Sequence, residues 1–226
     1  MKKLPILEES LLFVFFVSFG IISLLTMRYV NLEPGIKFAS LTALFHIVLV
    51  ILSKTFRWFT PFQIWKFLFP LSVFLVFPDW FLSDVLGVLV FPEDGFFKIG
   101  TVSGYMAGLW AIPLFILVYT GIKLEERSVS IIGTCLWVAS LSLVVFGGAE
   151  ATSWMLNSWY AQNVTKVSGM AIYVLIPEMI LGVVTYLAYQ GFSQSHFLIQ
   201  MSIGFLIMIQ YLGSLTFFYL LIERIL

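Results

Sequence analysis

The sequence predicts an all-α integral membrane bundle of about seven transmembrane helices, a single transmembrane domain over residues 1–226. Three observations predict it. Hydrophobic residues make up 61% of the chain and charged residues 11%, whereas a soluble domain carries about 25% charged residues. Mean hydropathy is +1.03. Apolar runs of about 20 residues recur between turn residues, and that length crosses a hydrocarbon core roughly 30 Å thick. The chain has 226 residues, enough for about seven such spans and no separate soluble domain.

The same composition excludes several classes. Twelve bases balance twelve acids, so no basic surface points to nucleic acid. A lone cysteine, Cys135, excludes an internal disulfide and a cysteine metal cluster. HExxH, GxSxG and P-loop patterns are missing, and no metal or cofactor is expected. Asp79 and Asp84 are five residues apart, about 140° around a helix, which is not the one-face spacing of a diphosphate–magnesium motif.

The first helix is expected over about Ser10–Val30, as an uncleaved span: Leu11–Met27 is long for a signal-peptide core, with no clear cleavage site after it. Pro34 and Gly35 break the chain before a second helix, Ile36–Ser53, with His46 near its middle. The loop carrying Lys54 and Arg57 leads to a third helix, Phe62–Phe81, in which Pro70 and Pro78 each remove a backbone donor. Then comes VLGVLVFP, ending at Pro92. At about eight residues it is too short to span, so a re-entrant or interfacial segment is expected between helices 3 and 4. Asp84 is placed to cap a helical start there.

A fourth helix is expected over Ile99–Ile122. Gly100, Gly104 and Gly108 would share one face of it, a small-residue stripe open to a homo-oligomer contact. KLEERS is a polar loop. The fifth helix is expected over Val129–Gly148, followed by AEATSWMLNSWYAQNVTKVSG, whose Trp154, Trp159 and Tyr160 favour the membrane–water boundary. Helices 6 and 7 follow over Met170–Gln190 and Phe197–Ile222.

Seven spans put the termini on opposite sides. Lys2, Lys3, Lys54, Arg57, Lys66, Lys123 and Arg127 fall on the N-terminal side; Arg28, Lys37, Lys98, Lys166 and Arg224 fall on the other. That bias favours a cytoplasmic N-terminus, in a bacterial inner membrane. The acids divide the opposite way. Glu33, Asp79, Asp84, Glu93, Asp94, Glu150, Glu178 and Glu223 gather towards the outer side.

Acids close to hydrocarbon are costly and mark function by default. Glu178 lies about 12 Å into helix 6, and Gly182, Thr185 and Tyr189 continue its face. It reads equally as a functional acid or as a structural one bonded to a neighbouring helix. Glu150 follows Gly147 and Gly148, and Asp79 follows Pro78; both also read as interfacial acids. Glu93 and Asp94 stand side by side in PEDG, which is good turn chemistry and also a pair that does not ionise twice cheaply in poor solvent. His46 reads first as a packing residue. Candidate catalytic residues are therefore Glu178, Glu150, Glu93, Asp94 and Asp79. Candidate substrate-binding residues are Trp80, Trp110, Trp154, Asp84 and His46.

FPEDGFF resembles the Pro-x-Glu-Glu-x-x-Phe-Phe motif of the integral-membrane lycopene cyclase domain, with Asp94 in place of the second glutamate and a shorter spacing from the proline. The size and span number are similar to those of the small membrane terpene cyclases of fungal meroterpenoid pathways. PDWFLSDVLGVLVFPEDG with YAQN and VLIPEM also resembles an uncharacterised bacterial seven-span family. The cyclase resemblance implies proton-initiated chemistry on a terpenoid or carotenoid, as cyclase or hydratase, with Glu93 and Asp94 as acids. The residues leave two other classes open: a small proton- or cation-coupled transporter, or a non-catalytic lipid-binding or assembly protein. A cyclase needs its acids around an apolar pocket open sideways to lipid. A carrier needs polar groups reaching both faces.

Overall fold

The computed structural model describes residues 3–226, with side chains from Glu8 onward; Lys2 and the side chain of Lys3, counted above in the charge bias, lie outside that range. Helices α1 (Lys3–Tyr29), α2 (Pro34–Thr55), α3 (Phe59–Phe74), α4 (Val76–Trp80), α5 (Met106–Leu109), α6 (Ala111–Glu126), α7 (Ile131–Ser153), α8 (Ile172–Phe192) and α9 (Phe197–Leu220) follow in order. Among the described residues, seven helical stretches are long and apolar enough to cross a membrane. The chain is an all-α bundle of the multi-pass membrane type, as its composition requires.

Side-chain chemistry accounts for the main boundaries. Pro34 opens α2 at a position where its missing N–H is no loss. Ser130 caps α7, its Oγ accepting from the Gly133 N–H at 3.2 Å. Pro78 cannot donate to the carbonyl four residues back, that of Phe74, and the third span breaks there into α3 and α4. A π-helical turn, Phe81–Val85, then ends the span. Helix α8 packs between α7 and α9, and α3 packs against α6 and α9. Small residues permit the close approaches: a side chain at Gly182 of α8 would run into Ser142 of α7 and Leu117 of α6.

The end of the bundle that carries the C-terminus is built from short strand pairs. β1 (Leu89–Val90) pairs antiparallel with β4 (Tyr160–Ala161), β2 (Lys98–Ile99) with β3 (Val102–Ser103), and β5 (Lys166–Val167) with β6 (Met170–Ala171). These pairs correct four expectations. The fourth span begins at Met106, not Ile99, because residues 98–103 form a hairpin whose turn needs Gly100 at φ +63°. The expected glycine stripe therefore does not form. Gly100 abuts Trp80, Gly104 abuts Phe97 and Gly108 abuts Thr42 and His46, so the three are used inside the chain and offer no shared face to a second copy. Asp84 is exposed in the π turn and caps no helix, since that turn ends at Val85, the chain reverses at Gly87 with φ +64°, and Leu89–Val90 is a strand. Finally, α7 runs on to Ser153, carrying Glu150 as a helical residue.

Segment 85–92 turns back onto the bundle. Val88, Leu89 and Phe91 are buried. Gln162 fastens it: its backbone N–H donates to Val88 O at 2.9 Å and its Nε2 to Gly87 O at 3.0 Å.

Candidate functional site

Three of the predicted acids meet in one cavity of about 330 Å³. That is at the small end of ligand pockets. Asp79 reaches it from α4, just past the break at Pro78; Glu150 from the last turns of α7; Glu178 from α8, directly after Pro177. The walls are apolar and aromatic. Trp110 lies within 5.5 Å of the Phe146 ring and 5.8 Å of the Tyr211 ring, centroid to centroid, and all three line the space with Tyr173 and Trp159. The paired strands β1 and β4 roof it, through Leu89 and its partner Ala161.

The three carboxyl groups are held differently. Trp110 Nε1 donates to Asp79 Oδ2 at 2.8 Å. Trp159 Nε1 donates to Glu150 Oε1 at 2.8 Å. Glu178 is 4% exposed, and its Oε2 is buried with no hydrogen-bond partner. Buried polar atoms are nearly always paired, and an unpaired one calls for an explanation. Among the described residues no Lys, Arg or His lines the cavity, so the three acids have no counter-ion within it. Among the described residues no group of three or more His, Cys, Asp or Glu is arranged to hold a metal ion.

The cavity is not sealed towards the bilayer. Ile112, Pro113 and Ile116 of α6 and Val145 and Ala149 of α7 line it and are each partly exposed, with Thr152 and Leu156 exposed beyond them. The gap between α6 and α7 is therefore its lateral mouth. Towards the opposite end of the bundle, Leu117, Leu181 and Thr185 are fully buried and close the interior.

The other predicted residues have different work. Asp94 is fully buried. Its carboxylate accepts from Ser103 Oγ at 2.5 Å and from the Phe96 N–H at 3.0 Å, and its carbonyl accepts from the Gly35 N–H at 2.8 Å. It locks the 91–104 loop onto the start of α2. Glu93 turns outward, with its side chain 92% exposed and paired to Lys98 at 2.9 Å. The two adjacent acids thus share no site, and neither lines the cavity. Trp80 packs against Phe77 and beneath Gly100. Trp154 is 52% exposed and donates to Ala151 O. His46 accepts from Trp65 Nε1 at 3.0 Å through Nδ1, so its Nε2–H donates to Gly108 O at 3.1 Å; it is a packing residue between α2, α3 and α5.

Sequence reasoning missed Trp159, Tyr173, Tyr211 and Phe146 as cavity residues. Trp159 was visible only as a boundary aromatic, and the others as ordinary apolar positions in helices. Just outside the spans, burial pushes the Tyr105 phenol up to about 12. Its hydroxyl meets Ser158 Oγ at 2.8 Å and ties the two loop regions together.

Fold and site together define a multi-pass membrane protein with an acid-lined apolar cavity that opens sideways. Residues 76–222 match the model of a family described as a domain of unknown function, DUF6989. That match covers more than half of the chain, and the chain belongs to this family. It contains all three cavity acids; of the lining residues, Phe38 alone lies outside it. No curated protein and no solved structure matches the chain. The resemblance to the lycopene cyclase domain finds no support in these comparisons.

Proposed function

We propose that the protein is a membrane-embedded enzyme of acid-initiated isoprenoid chemistry, a cyclase or hydratase working on an uncharged polyene end. One observation carries the reading. Glu178 presents a buried, unpartnered carboxyl oxygen to an aromatic-walled cavity open to lipid.

In this reading Glu178 holds its proton and gives it to one carbon of a double bond. The π pair forms the new C–H bond and leaves a carbocation on the other carbon. The faces of Trp110, Phe146 and Tyr211 stabilise that charge. A second double bond attacks it, closing a ring, and the Asp79 or Glu150 carboxylate removes a proton from a neighbouring carbon. The net reaction is an isomerisation with no oxidant or reductant. Capture of the cation by water gives hydration instead. Trp110 and Trp159 fix the two accepting carboxylates in place. The closed interior beneath Glu178 favours this reading over a carrier, which needs polar groups reaching both faces.

The test is expression in an isoprenoid-producing bacterial host, with mass spectrometry of the membrane lipids. Wild type should convert a host polyprene to an isomer or hydrate, Glu178→Gln should abolish conversion, and Glu93→Gln should retain it. Identical lipid profiles for wild type, Glu178→Gln and empty vector, at equal expression, defeat the proposal.

A further inference from the structure

We infer that the cavity is a binding site for a lipophilic ammonium ion: an amine-headed amphiphile whose chain lies in the α6–α7 gap and whose charged nitrogen sits among Asp79, Glu150 and Glu178. The inference deepens the proposed function and rests on the same cavity, because a carbocation formed there and a stable ammonium ion carry the same charge in the same place.

Charge is the first argument. The three carboxyl groups line one cavity. Among the described residues no base lines the space. Two of the bases at that end of the bundle are engaged elsewhere: Lys98 with Glu93 and Phe91 O, Lys166 with Ala161 O. A phosphate or carboxylate head would find no positive partner there, whereas a cation favours the ionised form of the acids and supplies the counter-charge that the cavity lacks. Glu178 is the second argument, since its buried Oε2 has no partner within the protein. The third is the wall. Trp110, Phe146 and Tyr211 line the cavity as a contiguous aromatic group, and the contacts of a cation with aromatic rings strengthen when water is excluded. A volume of about 330 Å³ takes the head and the first carbons of a chain, and the partly exposed mouth at Ile116 and Val145 lets the remainder lie in the bilayer.

The test needs no turnover. Full-length protein in a neutral detergent is titrated with dodecyltrimethylammonium, dodecanol or dodecanoate, and tryptophan fluorescence and the thermal midpoint are followed. The ammonium ion should saturate at a concentration lower than dodecanol by about tenfold or more, and dodecanoate should give no saturable change. Glu178→Gln should weaken the ammonium response by about tenfold, while Glu93→Gln, outside the cavity, leaves it unchanged. Equal half-saturation for ammonium and alcohol on the wild-type protein overturns the inference, whether or not Glu178→Gln folds. So does a folded Glu178→Gln that binds the ammonium ion as wild type does. Ammonium selectivity without any lipid conversion keeps the site and removes the enzyme; conversion without selectivity does the reverse.

Discussion

Asp94 and Glu93 are neighbours of the same charge, and the structure predicts opposite outcomes for removing them. Asp94→Ala deletes two hydrogen bonds to a fully buried carboxylate and strands the equally buried Ser103 hydroxyl and the Phe96 N–H. Bonds to a charged group contribute about 1.5–3 kcal/mol each. Two of them give a loss of about 3–5 kcal/mol, part of the buried cost being shared. For a chain of this size each kcal/mol moves the midpoint by about 2–4 °C, so thermal unfolding in detergent should fall by roughly 6–20 °C. Glu93→Ala breaks only an exposed pair with Lys98, and such pairs are worth little, so its midpoint should not move measurably. Asp94→Asn, which keeps one acceptor oxygen, should lie between. Equal shifts for Asp94→Ala and Glu93→Ala, or a shift for Asp94→Ala below about 2 °C, would refute the assignment of Asp94 as the lock between the loop and α2.

Three further outcomes follow from the same contacts. Trp110→Phe leaves Asp79 without its donor in a buried site and should cost about 1–3 kcal/mol; adding Asp79→Leu should recover most of it, as a double-mutant cycle by thermal unfolding would show. Gly182→Val puts a Cβ against Ser142 and Leu117, with two methyl groups more to place, and should cost about 1–3 kcal/mol, partly relieved by Ser142→Ala, read from the same midpoints. Tyr105→Phe leaves the fully buried Ser158 hydroxyl unpaired and should cost about 1–2 kcal/mol.

The helices could be read from the sequence because apolar run length is a direct physical requirement of the bilayer. The ends of those runs were harder. KIGTVS looks continuous with the fourth span, since Ile99 and Val102 are as apolar as helix residues; only the left-handed backbone at Gly100 makes it a hairpin, and hydropathy does not register that. Strands of two residues, such as Leu89–Val90, carry no periodicity at all. Within the site, Glu178 was found because its face on α8 repeats at helical spacing. Asp79 and Glu150 were found because acids are rare in this chain. Their meeting with Trp159 depends on which helices pack together, which a single sequence does not state. The pair in FPEDGFF misled for the same reason: adjacency in sequence says nothing about direction, and Asp94 points inward while Glu93 points out.

The central claim is that Glu178 lies in an apolar cavity reached from lipid, and carbodiimide labelling tests it most directly. Native membranes are treated in parallel with dicyclohexylcarbodiimide, which partitions into lipid and reacts with protonated carboxyl groups, and with a water-soluble carbodiimide. Modified residues are then mapped by peptide mass spectrometry. The lipid-soluble reagent should modify Glu178 and spare Glu93, the water-soluble reagent should do the reverse, and dodecyltrimethylammonium should protect Glu178. Modification of Glu178 by the water-soluble reagent alone, or by neither reagent while Glu93 reacts, would contradict the account.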